Sequence, residues 1–262
     1  MKKLHIKYKR YGITKGIDRT VPEKWGEMTG SQFIAMVRVA QHDMPVNDFP
    51  GIFLGLPKGV ELDIFQLYQL MGLMPDEIKD ARVSHFFIQK IGKLYAPADK
   101  LSGMSLQQFM TVDTFFMQAS DQLSRKGEYT DSDALCKMIG ALYIRKKEAY
   151  FIEDSDRKLI NISHNAELAR KADKSVKMGI LINWGMIHRW LSKAFPLLFT
   201  EEEQPKKKMA RQKSQWLTIL DNFVGDDISH LQTYRSMECT DAFRLMNHRI
   251  YNYNQQLLKN RK

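Results

Sequence analysis

Apolar residues follow the period of an α-helix along most of this chain, and this pattern limits the fold more than any other feature. One segment near the start instead alternates with the period of a strand that is buried on one face. The alternating residues are Lys3, Leu4, His5, Ile6, Lys7, Tyr8 and Lys9. Gly12 and Gly16 follow, and Pro22 closes the segment, so we expect a short hairpin there. The sequence therefore predicts a mainly α protein, an irregular multi-helix domain with a short N-terminal β-hairpin.

Two helix starts give the strongest local signals. At the first, Thr29 is the expected N-cap, and Gln32 is placed to bond back to it in a capping box. Met28 and Phe33 flank this pair at the positions of a hydrophobic staple. The second start repeats the pattern with Ser105, Gln108, Met104 and Phe109. We expect a helix to begin at each of these caps.

Helical spacing and cap residues predict several further helices. They are expected near residues 60–73, 105–123, 163–172, 175–194, 216–224 and 240–259, with another beginning at a cap on Thr130 or Asp131. The segment EEEQPKKKMARQK is a pair of charge blocks around a proline, which is typical of a linker or an exposed loop. We therefore expect a main helical domain with the hairpin over residues 1–200, the charged linker or loop over 201–213, and a C-terminal helical segment over 214–262.

The formal charge of +10 is concentrated in two clusters, one at the N-terminus and one in the predicted linker. Such clusters are candidates for contacts with nucleic acid or with an acidic protein surface. The candidate contact residues are Lys2, Lys3, Lys7, Lys9, Arg10, Lys206, Lys207, Lys208 and Arg211. A solvated arm and a solvated linker are the simpler interpretation, because charge runs usually serve as soluble surface.

The sequence contains no recognisable catalytic, nucleotide-binding or metal-binding motif. We therefore expect no enzyme activity, no cofactor and no metal site, although an enzyme whose groups converge only in space stays an alternative. His188 lies near Trp184 and Trp190, and a lone histidine on such a helix is expected to be a hydrogen-bonded core residue. Asp113 is either a buried carboxylate with an unusual pKa or, as we favour, a surface residue that pairs with a neighbour such as Lys100.

Cysteine usage and hydropathy suggest a compartment. Cys136 and Cys239 are far apart and form no spaced pair, which fits a reducing environment. The start MKKLHIKYKR has no apolar region behind its basic residues, so we do not expect a signal peptide. The longest apolar stretch, residues 178–191, is shorter than the roughly 20 residues of a spanning helix. We expect it to be a core helix, and we expect no membrane contact.

Three stretches resemble a known group of proteins. They are VPEKWGEMTGSQF at residues 21–33, MSLQQFMTVDTFF at 104–116 and ALYIRK at 141–146. Their order is similar to that in uncharacterised proteins from phage and prophage structural gene clusters of gut Bacteroidetes. In those proteins a tryptophan-containing opening precedes a helical body. The resemblance spans roughly the first 200 residues, and within that span only the short motifs are specific.

The resemblance implies a non-enzymatic virion or virion-assembly protein, either a ring component at the head–tail connector or a tail-assembly chaperone. It implies other phage structural proteins as partners, a homo-oligomer, non-specific contact with DNA, and a location in the bacterial host cytoplasm during assembly and in the virion. It supplies no catalytic residues. The alternative is a basic nucleic-acid-binding protein of a mobile element, which the charge favours and the lack of a recognition motif disfavours.

The predicted C-terminal helix, residues 240–259, is a candidate partner-binding element. Its apolar stripe consists of Phe243, Met246, Ile250, Tyr253 and Leu257. Tyr251 and Tyr253 would supply the rigid aromatic area that protein interfaces favour. Packing of the same helix on the core of its own chain is an equally good interpretation.

Overall fold

The structure of the chain is a computed structural model. It describes residues 1–45, 48–57, 60, 80–126, 132–146, 148–149, 158–199, 215–225 and 230–260. Backbone contacts divide the chain into two compact units, Met1–Val83 and Ser84–Lys262. Nine α-helices and an N-terminal antiparallel hairpin in the described residues confirm the mainly α prediction. The predicted linker at 201–213 lies outside the described residues and stays a prediction, as does the helix near 60–73 from residue 61 onward.

The first unit begins with the predicted hairpin. Strands β1 (Lys2–Arg10) and β2 (Ile13–Val21) pair antiparallel, with Ile6 opposite Ile17. The two residues of the turn both have a positive φ, 51° at Tyr11 and 76° at Gly12, which is the backbone of the turns that join twisted strands most readily. Alternation therefore places one face of β1 in the interior and leaves its lysine-rich face in solvent.

Helix α1 (Gly30–Ala40) starts at the predicted capping box. The Gln32 backbone N–H donates to Thr29 Oγ1 at 3.3 Å, and the Thr29 backbone N–H donates to Gln32 Oε1 at 2.9 Å. Met28 and Phe33 are both buried, as a hydrophobic staple requires. The local sequence thus determines this helix start without help from distant residues.

Two side chains hold the short helix α2 (Phe49–Phe53), which the sequence analysis did not predict. Gln32 Nε2 donates to the Phe53 carbonyl at 3.2 Å. Arg19 on β2 donates to the carbonyls of Leu54 and Gly55 at 3.0 and 3.2 Å. A cation bonded to the last carbonyls of a helix satisfies acceptors that the helix leaves open. Arg19, a further basic residue of the hairpin, is therefore structural.

The second unit contains the remaining helices and several short strands. The strands are β3 (Lys90–Ile91), β4 (Leu94–Tyr95), β5 (Glu148–Ala149) and β6 (Lys158–Leu159). The helices are α3 (Leu106–Lys126), α4 (Asp133–Leu142), α5 (Ile162–Arg170), α6 (Lys174–Ala194), α7 (Gln215–Val224), α8 (Leu231–Ser236) and α9 (Cys239–Asn260). Strand β3 pairs with β4 antiparallel, and β5 pairs with β6 in parallel. The sequence analysis predicted the longer helices but none of these two-residue strands.

Three predictions about helix caps need correction, although Ser105 itself is the cap that we expected. Its hydroxyl accepts from the Gln108 N–H at 3.1 Å. The Gln108 side chain does not complete a capping box, since it is buried and donates to the Ala141 carbonyl at 3.0 Å. Ser132, rather than Thr130 or Asp131, caps α4. Helix α9 begins at Cys239, which leaves Thr240 inside the helix instead of at its cap.

A buried asparagine on α6 fixes the irregular segment before β3. Asn183 Oδ1 accepts from the Phe87 N–H at 2.9 Å, and Asn183 Nδ2 donates to the His85 carbonyl at 3.1 Å. The side chain thereby satisfies one donor and one acceptor that a neighbouring strand would otherwise pair. In this segment a side chain therefore makes the backbone hydrogen bonds that a neighbouring β-strand would make in a sheet.

Helices α4 and α5 approach each other at Gly140. A Cβ atom at this position would lie 2.6 Å from the Ala166 backbone nitrogen and 2.8 Å from the Ile162 carbonyl oxygen. Backbone atoms at that distance cannot move aside as the end of a flexible side chain can. The close packing of these two helices therefore requires glycine at residue 140.

We expect Gly140→Ala to lower the free energy of unfolding by about 2 kcal/mol, because the added methyl group overpacks the contact between α4 and α5. Gly185→Ala is the matched control, since Gly185 also lies inside a helix but its Cβ would meet Arg189 only at 3.8 Å. This control should be neutral or stabilising by up to about 1 kcal/mol. Urea denaturation measures both variants, and equal effects would contradict the assignment.

Candidate partner-binding site

An aromatic cluster in the second unit anchors the C-terminal helix. It consists of Phe109, Trp184, His188, Phe199, Trp216 and Phe243. Phe109 on α3 is central, with ring centroids 4.8 Å from Phe243 on α9 and 5.3 Å from Trp216 on α7. Edge-to-face pairs at such distances add to the stability gained from burial. The cluster joins four helices, α3, α6, α7 and α9, with the segment that follows α6.

Asp113 lies one turn beyond Phe109 and places a carboxylate inside this aromatic cluster. Its Oδ1 lies 2.7 Å from His188 Nε2, and its Oδ2 accepts from the Trp216 indole N–H at 2.6 Å. Our favoured interpretation, a surface Asp113 paired with Lys100, is therefore wrong, and the buried alternative is confirmed. His188 is half-buried rather than a core residue, and its partner is Asp113, at ion-pair distance.

The environment of Asp113 contains opposing electrostatic influences. Burial is the largest and raises the pKa, but the nearby His188 imidazole and the hydrogen bond from the Trp216 indole together outweigh it. The pKa of Asp113 consequently lies below its ordinary value. Both oxygens are engaged by groups on other helices, so this carboxylate ties α3 to α6 and α7.

The N-terminal half of α9 belongs to the core. Phe243 and Met246 are buried, and the Leu197 N–H donates to Asn247 Oδ1 at 3.1 Å. One turn later the Arg249 guanidinium bonds to the Phe223 carbonyl and lies 4.5 Å from the centre of the Phe223 ring. These contacts hold α9 to the end of α7 as far as residue 249.

Beyond that point the same helix leaves the core. Residues 251–259 are all exposed, including Tyr251 at 52%, Tyr253 at 61% and Leu257 at 41%. An isolated helix of this length is marginal in water, so its attachment to the packed half supports it. Packing on the core of its own chain is therefore seen for the first half of this helix, and the role of Tyr251 and Tyr253 in an interface stays a prediction.

The structure brings together part of the N-terminal basic cluster. Lys3, Lys7 and Lys9 lie on the exposed face of β1, whereas Lys2 lies in the alternate register, opposite Val21. Arg10 ends β1, and its side chain is outside what the structure describes. The same face also carries His5, whose Nδ1 lies 2.7 Å from Asp18 Oδ1. The linker candidates Lys206, Lys207, Lys208 and Arg211 lie outside the described residues.

A shallow pocket of about 200 Å³ adjoins β4 and the end of α4. Glu148 in its lining is already hydrogen-bonded, since the Arg145 backbone N–H and Asn165 Nδ2 each donate to Glu148 Oε2 at 3.0 Å. Arg145 also bonds to His164.

In the part of the chain that the structure describes, three or more metal-ligating side chains do not converge anywhere. Nor is any described helix long and apolar enough to cross a bilayer.

Sequence reasoning missed two contacts that matter here, the Asp113–Trp216 hydrogen bond and the Arg249 contact with Phe223. Both join residues from separate helices, so no local spacing could indicate them. The apolar stripe of α9 was visible in the sequence, but the point at which it becomes exposed was not. Comparisons with protein-family models, with curated proteins and with solved structures gave no match.

We expect Asp113→Asn to lower the free energy of unfolding at pH 7 by about 2 kcal/mol, because it removes the charge that His188 and Trp216 bind. Since folding lowers the pKa of Asp113, the carboxylate contributes stability above the ordinary aspartate pKa of about 3.9, and this contribution is lost as the pH falls through the folded pKa. The variant should therefore lose less stability than the parent below about pH 4.

Urea denaturation between pH 7 and pH 3 measures both effects. The control is Asp121→Asn in the same helix, whose exposed pair with Arg125 should contribute less than about 0.5 kcal/mol. Equal unfolding free energies for the parent and Asp113→Asn at pH 7 would contradict the role assigned to the buried carboxylate.

Proposed function

We propose that this chain is a non-enzymatic structural or assembly protein of a phage particle, either a component of the head–tail connector ring or a tail-assembly chaperone. The observation behind the proposal is the division of α9 into an embedded half and an exposed half. The resemblance of residues 21–33, 104–116 and 141–146 to proteins from phage structural gene clusters supports the assignment of this assembly to a phage particle.

The exposed half has the composition of a protein interface. Tyr251, Tyr253, Leu257 and Leu258 are large apolar or aromatic side chains in solvent, and tyrosine in particular is enriched where proteins bind one another. Burial of this area against a partner would be favourable by roughly 25 cal/mol per Å² before the costs of association. The embedded half fixes the direction of the helix, which reduces the ordering cost of binding.

A connector ring component and a tail-assembly chaperone would use this helix differently. In a ring, each subunit contacts neighbouring copies and other particle proteins, and basic surface faces packaged DNA. A chaperone would instead hold a segment of a tail protein. Both roles place the functional information in surface contacts, and neither requires a catalytic pocket.

Truncation after Ile250 tests the assembly role. Because residues 251–259 are exposed, a chain lacking residues 251–262 should keep the melting temperature of the parent within a few degrees. The full chain should co-purify with phage structural proteins when these are co-expressed with it, and the truncated chain should lose this association. Removal of residues 240–262 is the contrasting control, since it also removes buried Phe243 and should prevent folding.

Two outcomes would contradict the proposal. In the first, the full chain associates with none of the co-expressed particle proteins. In the second, the chain truncated after Ile250 associates as well as the parent, which would show that the exposed half of α9 has no part in assembly.

A basic nucleic-acid-binding protein of a mobile element is the second candidate. The observation that favours it is the common exposed face of Lys3, Lys7 and Lys9 on β1. Lys7 and Lys9 are two residues apart, which on a strand is about 6.8 Å. This is twice the axial spacing of about 3.4 Å between phosphates on one DNA strand, so the two lysines match every second phosphate. Asp18 on the same face reduces this charge, so we expect weak binding without sequence preference.

Joint replacement of Lys3, Lys7 and Lys9 by glutamine should weaken DNA binding about tenfold at low salt and reduce its salt dependence, because fewer counterions are released. Replacement of Lys171, Lys193 and Lys259, which are also exposed, makes the same change in net charge elsewhere and should have a smaller effect. Fluorescence anisotropy over a salt series measures both. Tight, sequence-specific binding that persists at high salt would make the second candidate the better one.

A further inference from the structure

The apolar stripe of α9 has the spacing of a coiled-coil seam. Its members are Cys239, Phe243, Met246, Ile250, Tyr253 and Leu257, which alternate steps of four and three residues. Such a heptad keeps one narrow stripe facing a partner helix along its whole length. The first three positions are buried in the chain itself, Ile250 is half-buried, and Tyr253 and Leu257 continue the same face in solvent. We call Ile250, Tyr253 and Leu257 the projecting seam.

The charge pattern indicates what covers the projecting seam. Residues 250–258, IYNYNQQLL, contain no charged side chain, although 27% of the whole chain is charged. The positions that flank the seam are Asn254 and Gln256, so two identical copies would meet without repulsion between like charges. A partner selected by opposite charge would find nothing to pair with on this segment.

We infer that the projecting seams of two copies of this chain pair with each other as an antiparallel two-helix contact, an inference that rests on the proposed assembly function. Each copy presents the same surface, so the contact is two-fold symmetric and closed. In the heptad register, Tyr253 of one copy packs against Leu257 of the other, and the reverse contact repeats it. The uncharged residues lie at the centre of the pair.

Orientation follows from charge and from the attached core. Parallel pairing would bring together Lys259, Arg261 and Lys262 of both copies, and it would align the two helix dipoles unfavourably. It would also place the folded cores of both copies at the same end of the short contact between the two helices. Antiparallel pairing separates the basic ends and puts the bodies at opposite ends.

The seam is short, and this limits its strength. Nine residues span about 14 Å of helix, which is less contact than a permanent dimer needs. For the isolated chain we therefore expect a dissociation constant in the range of about 1 to 100 µM. In an assembled particle, neighbouring contacts raise the local concentration and make such a weak contact effective.

Two tyrosines of the same helix provide a matched test. Tyr253 lies in the seam, whereas Tyr251 is similarly exposed but about 200° around the helix from it. Sedimentation equilibrium should show that Tyr253→Glu weakens the dimer at least about tenfold, a loss of about 1.4 kcal/mol, while Tyr251→Glu changes the dissociation constant less than about twofold. Far-UV circular dichroism checks that both variants remain folded. A monomeric parent at about 200 µM, or equal effects of the two variants, would overturn the inference.

Disulfide trapping tests the orientation. Tyr253→Cys and Leu257→Cys chains, one of them tagged, are mixed and oxidised; the native Cys136 and Cys239 are buried and should not compete. Antiparallel packing predicts that the mixed disulfide forms faster than either disulfide between identical chains. Faster formation of the disulfides between identical chains would indicate parallel packing and contradict the model.

Failure of this inference differs from failure of the proposed function. A monomeric chain that still co-purifies with particle proteins would overturn the paired seam and leave the assembly role standing. A seam-dependent dimer that associates with no particle protein would support the pairing and contradict the phage assembly role.

Discussion

Packing around Phe109 is the constraint on which the second unit depends. This ring is fully buried, and it contacts aromatic side chains that arrive from α6, α7 and α9. One turn away, Asp113 adds a carboxylate that pairs with His188 on α6 and accepts a hydrogen bond from Trp216 on α7. Aromatic burial supplies stability that is largely independent of direction, whereas the bonds to Asp113 fix which residues meet. Aromatic burial and the bonds to Asp113 together give helices that are far apart in the sequence a single packing arrangement.

The position of the aromatic cluster also determines which part of α9 is buried. Phe243 enters the cluster, and Arg249 bonds to the Phe223 carbonyl at the end of α7. After Arg249 the apolar stripe continues, and residues 251–259 are exposed. A single amphipathic helix thereby extends from a packed core into solvent.

The basic N-terminus illustrates how one charge cluster divides between structure and surface. Arg19 binds the carbonyls that end α2, so its charge stabilises the first unit. Lys3, Lys7 and Lys9 lie on the exposed face of β1. Counting charges in the sequence cannot separate these roles, because the distinction depends on which strand face is covered.

What the sequence determined by itself was local. The alternation over residues 3–9 specified the hairpin, and Thr29 with Gln32 specified the start of α1, because the interacting groups are at most a few residues apart or share one strand period. The tertiary structure decided the rest: it directed Gln108 to the end of α4 instead of to its own cap, and it bound Asp113 to Trp216, 103 residues away. The point where α9 leaves the core was decided in the same way, since the heptad spacing is identical on both sides of Ile250 and only the presence of neighbouring helices distinguishes a buried stripe from an exposed one.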